Sequence, residues 1–112
     1  MAFIKIKKDD TEYTLEFSRN TIRETEKNGF DFTDPSKCGL INGYYLLVEG
    51  ALLKHHRSLD TDEMDDIADY MIETYGMTEV FEALIKMVGN ILKLEENEHS
   101  KKLVIVGLKK AN

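Results

Sequence analysis

The sequence predicts an α+β fold: an N-terminal β-hairpin packed with about four α-helices, and a candidate short strand at the C-terminal end. Three observations carry this expectation. Apolar and polar residues alternate on both sides of Asp9 and Asp10, apolar residues then recur at helical spacing in four blocks, and only residues 103–106 (LVIV) return to a β-compatible run. A chain of 112 residues suffices for one domain with a modest core, divided as hairpin 1–17, helical body 18–97 and tail or strand 98–112.

With Asp9 and Asp10 as the turn, Ile4 faces Leu15, Ile6 faces Tyr13 and Lys7 faces Glu12. Ile4, Ile6, Tyr13, Leu15 and Phe17 then share an apolar face, while Lys5, Lys7, Glu12, Thr14 and Glu16 meet water. A two-stranded ribbon cannot stand alone, so the apolar face needs a covering element. The next block (SRNTIRETEKNG) reads as a short helix capped by Ser18 or Asn20 and ended by Asn28 and Gly29. The connection FDFTDPSK is held by its two phenylalanines, and Asp34 with Pro35 turns the chain into a new helix start.

The second helix is expected over residues 36–56. Leu40, Ile41, Tyr44, Leu47, Val48, Ala51 and Leu52 form its apolar stripe; Tyr45, Leu46 and Leu53 widen it almost all round, the mark of a central helix. Asp60 and Glu63 form a near capping box for the third helix, flanked by the staple pair Leu59 and Met64 and ended by Gly76. Met64, Ile67, Ala68, Met71, Ile72 and Tyr75 give its apolar face, and Asp62, Asp65, Asp66, Asp69 and Glu73 its solvated one. The fourth helix runs from Thr78 to about Glu96 on a stripe of Val80, Phe81, Leu84, Ile85, Val88, Ile91 and Leu92, with Met87 and Leu94 off its centre. Residues 103–106 form either a last strand beside the hairpin or a tail that orders only with a partner.

Composition narrows the function. Acids outnumber bases 21 to 15, giving a net charge of −6, so the chain is not expected to bind nucleic acid; Lys5, Lys7, Lys8 and Lys101, Lys102, Lys109, Lys110 read as solvated positions. No apolar run is long enough for a membrane span, the N-terminus alternates where a signal peptide would be continuously apolar, and the lone Cys38 suits a reducing cytoplasm. Neither a cofactor nor a metal is expected. His55 and His56 point about 100° apart on a helix, so both cannot ligate one ion, and with Lys54 and Arg57 they read as polar decoration of a helix C-terminus. The acids that follow fail as a calcium loop, with Met64 at the fifth position and Met71 where a bidentate Glu belongs. No phosphate-cradling glycine loop, nucleophile elbow or metalloprotease motif occurs, and no enzyme is expected.

The apolar content is large for so short a chain, which predicts an association surface outside the core and self-association into an oligomer, open or ring-like. The fourth helix is the expected partner-binding element, through Phe81, Leu84, Met87, Val88 and Ile91; Met64, Met71, Met77 and Met87 could add adaptable contacts, although methionine at helical spacing is more often core.

The segments EYTLEFSRNTIRETEKNGFDF and YYLLVEGALLKHHRSLDTDE, over roughly residues 10–75, resemble the tail assembly chaperones of long-tailed (siphovirus-type) phages of Gram-positive bacteria. The resemblance implies a non-enzymatic protein of the host bacterial cytoplasm, not retained in the virion. Such a protein binds the aggregation-prone tape-measure protein and keeps it soluble until the tail tube assembles around it. It also implies a longer frameshifted form that recruits tail-tube subunits. Residues 107–110 (GLKK) permit, without requiring, the repeated bases such slippage needs. The alternative is a small phage-encoded regulatory or anti-host protein that binds one folded host partner.

Overall fold

The computed structural model describes residues 2–93, in the order β1 (Ile4–Lys8), β2 (Thr11–Leu15), α1 (Arg19–Lys27), a 3-10 turn (Pro35–Cys38), α2 (Leu40–Leu52), α3 (Thr61–Tyr75) and α4 (Met77–Leu92). The protein is therefore α+β, a hairpin followed by four α-helices. The strands pair antiparallel with Ile4 opposite Leu15, Ile6 opposite Tyr13 and Lys7 opposite Glu12, the register that the alternation predicts. Asp9 and Asp10 both take positive φ, 51° and 68°, which two-residue hairpin turns demand and aspartate tolerates better than most side chains. Residues 103–106, expected as a strand or tail, lie outside the described residues.

α2 is the central element and packs against α1, α3, α4 and β2. Tyr44, Leu47, Val48, Ala51 and Leu52 of its stripe are fully buried, together with Leu15 and Phe17 of the hairpin end and Leu84 of α4. Burial of each large side chain contributes roughly 1.5–3 kcal/mol, so this contact layer supplies most of the cohesion. Tyr44 can be buried because its hydroxyl donates to the Ala68 carbonyl of α3 at 2.8 Å.

Local signals set the helix ends. Ser18 caps α1, accepting from the Thr21 amide while its own amide donates to Thr21 Oγ1. Asp60 and Glu63 form the expected reciprocal box at α3, at 2.8 and 2.9 Å. Gly76, at φ 89°, turns the chain from α3 into α4. α4 closes at Leu92, where Lys93 takes a left-handed cap at φ 59°, short of the expected end near Glu96.

The second helix differs from expectation at both ends. Pro35 starts a 3-10 turn instead of the helix, and Gly39, at φ 92°, redirects the chain so that α2 begins at Leu40. At the other end α2 stops at Leu52, and residues 53–60 leave the helix axis to cover the outer side of β2. The Thr14 amide and the Glu16 carboxylate draw in side chains that helical continuation would send into water.

Candidate partner-binding surface

Those side chains come from the histidine segment. His56 Nε2 accepts from the Thr14 amide at 2.9 Å, and the Glu16 amide, just past β2, donates to the Ala51 carbonyl at 2.9 Å, so two outward amides on this side of the hairpin are satisfied. Accepting at Nε2 requires a neutral imidazole protonated at Nδ1. Burial, then the neighbouring His55, lowers the His56 pKa below its ordinary value. Glu16, expected on the solvated face, is only 7% exposed and accepts from Lys54 Nζ at 2.8 Å, with His55 Nε2 also at 2.8 Å. The hydrogen bond from Lys54, then that from His55, holds its carboxyl below the usual carboxylate range. The histidine pair is therefore more than helix-end decoration: it latches the α2–α3 connection to the hairpin. Loss of the His56 acceptor leaves a strand amide unpaired, a cost of about 1–3 kcal/mol. Arg57 adds a fork to Glu24 of α1, at 2.7 and 3.2 Å, which is exposed and contributes little.

Among the described residues no group of three or more His, Cys, Asp or Glu is placed to hold a metal ion. Cys38 is half-buried, its Sγ 3.7 Å from the Pro35 carbonyl. Among the described residues no helix is long and apolar enough to cross a membrane.

The apolar surface lies elsewhere than expected. Of the five residues assigned to partner binding, Leu84, Met87 and Val88 are core, Met87 only 4% exposed. Met87 stands seven residues after Val80 and three after Leu84, so it falls on the buried stripe and not beside it. Met64 and Met71 are core as well. Only Phe81 and Ile91 of the five are half-exposed.

The exposed patch is instead built at the start of α2. Leu40 is 68% exposed and Ile41 63%, although Leu40 precedes Tyr44 by four residues and Ile41 precedes Val48 by seven, so both continue the core-facing stripe. They stand on the first turn of α2, which Gly39 opens. On that turn the buried position is Gly43, whose missing Cβ leaves Cys38 Sγ, the Pro35 carbonyl and Phe30 in close approach. Beside Leu40 lies a hollow of about 340 Å³ shared with Pro35 and Phe81, the one expected binding residue that lines it. Phe81 is held there against Phe30, ring centroids 6.3 Å apart, and Phe32 meets Phe30 edge-to-face at 4.6 Å. The arrangement offers an aromatic floor and two aliphatic side chains, suited to one apolar face of a partner helix. Periodicity alone hides this, since Leu40 and Ile41 are in phase with buried residues; Gly39 was the available signal.

No curated protein and no solved structure matches the chain. Residues 1–108 match a family described as a domain of unknown function (DUF5055), and the chain belongs to that family.

Proposed function

We propose that this protein is a non-enzymatic tail assembly chaperone of a long-tailed phage. It binds the tape-measure protein in the host cytoplasm and keeps it soluble until the tail tube assembles around it. The sequence resemblance over residues 10–75 suggests the class, and one structural observation supports the chemistry: core-type side chains, Leu40 and Ile41, left uncovered beside Phe81 on an acidic body. Such a patch takes the apolar face of an amphipathic helix, and the net charge of −6 keeps the complex dispersed. Several copies along one elongated client gain by avidity what a small patch lacks in area.

Co-expression with the tape-measure gene tests this. The client is expected in the soluble fraction only with the wild-type chain, and in the pellet with a Leu40→Asp, Ile41→Asp double variant. Both positions are exposed, so circular dichroism of that variant should match the wild type. A client equally soluble without the chaperone sinks the proposal; a client rescued equally by the double variant moves the contact to another face.

A further inference from the structure

The two edges of the hairpin are treated differently. On the β2 side the outward amides of Thr14 and of Glu16, just past the strand, are taken by His56 and the Ala51 carbonyl. Because the Thr14 amide points away from β1, its partner Lys5 belongs to the pair whose backbone groups also point outward. The Lys7 carbonyl agrees with this phase, since it points out of the ribbon and accepts from the Tyr70 hydroxyl at 2.9 Å. That contact closes the turn end of the β1 edge. At Lys5 neither the N–H nor the C=O has a partner among the described residues.

A cleft of about 570 Å³ runs along this open stretch, walled by Ile4 and Ile6 of β1, Met71 and Tyr75 of α3, and Val80 and Ala83 of α4. Tyr75, one of the most exposed large side chains, stands in its wall, and Phe3, another, precedes Ile4 on the opposite face of the strand. An unpaired strand edge beside an apolar trough selects an extended peptide with apolar side chains: main-chain bonds hold it and the trough reads alternate residues.

We propose that this cleft is the docking site of residues 103–106 (LVIV) of the same chain, added as a third strand on β1. Its alternate side chains fill one face each, two entering the trough and two lying beside Phe3. Four residues fit the stretch that Tyr70 leaves open. The connection is long enough. Nine residues lie between Lys93 and Leu103, and the ten steps span up to about 33 Å when extended, whereas the way back along α4 from Leu92 to the cleft residues Val80 and Ala83 is roughly 14–18 Å. Lys93 already turns the chain, its left-handed cap donating to the Gly89 carbonyl. Lys101 and Lys102 would then approach Glu79 on the cleft wall. The proposal does not depend on the chaperone reading.

Nuclear magnetic resonance on the full chain tests it. In wild-type protein, cross-strand contacts are expected between the Lys5 and residue 103–106 backbones. In a sample of labelled chain diluted into unlabelled chain, those contacts should remain within the labelled chain. Deuterium exchange at the Lys5 amide should be about tenfold or more slower in the wild type than in Ile105→Pro, while Ile6 and Leu15 exchange alike in both. Absence of the wild-type contacts overturns the proposal. So do contacts found only between labelled and unlabelled chains, which would assign the cleft to a second copy.

Discussion

Glu49 stands on α2 with its carboxyl against Asp65 of α3, and burial, then the hydrogen bond to Asp65, then its charge, push the Glu49 pKa from 4.5 up to about 7. Asp65 Oδ1 is buried without a donor among the described residues. A pKa raised by folding means the native state holds the proton more tightly than the unfolded chain. The associated stability is present in full below about pH 4.5 and is lost as pH rises through 7. Glu49 is half-exposed, so water screens much of the effect and the loss amounts to about 1 kcal/mol. Urea midpoints of wild type and Glu49→Gln at pH 5 and pH 8 check this: the wild type should weaken with rising pH and the variant, whose amide cannot titrate, should change less. Parallel changes in both proteins would remove Glu49 as the cause. This pair could not be read from the sequence, because sixteen positions separate its members and only the α2–α3 packing makes them neighbours. The Asp60 and Glu63 cap could, because its partners lie within one turn of each other.

At the scale of elements, α1 and α2 meet where Gly50 faces Thr25. A Cβ at Gly50 would stand 2.0 Å from Thr25 Oγ1 and 3.1 Å from Phe17 Cε1. Thr25 is fully buried and its hydroxyl donates to the Thr21 carbonyl at 2.7 Å, so it gives way only by losing that bond. Gly50→Ala should therefore destabilise by about 1–3 kcal/mol, against the small gain that alanine brings to an unobstructed helix. In a Gly50→Ala, Thr25→Ala double variant part of that loss should return, because the two sites share one contact. Chemical denaturation of the three variants measures this, and strictly additive losses would show that the contact is not the cause. The hairpin register was legible because side-chain direction in a strand has period two, so one slip would expose Ile6 and Leu15 together. The ends of α2 were not, because Gly39 and the β2 amides set them, and neither is visible in an apolar stripe that runs on in phase.

For the whole molecule, the uncovered Leu40 and Ile41 predict association of the chain with itself when no client is present. Light scattering across a concentration series should give a mass above that of the monomer, rising with added salt as the self-repulsion of a −6 chain is screened, and the Leu40→Asp, Ile41→Asp variant should remain monomeric. A wild type that stays monomeric at high concentration counts against the patch as an oligomer contact. The sequence by itself determined the α+β class, the strand register, the α3 cap and the central place of α2, because each follows from residues near in the chain or from a period along it. Tertiary structure decided which apolar residues stay uncovered. Met87 is buried and Leu40 exposed because burial depends on whether another element reaches that turn of the helix, and the length of overlap between packed elements is a property of no single segment.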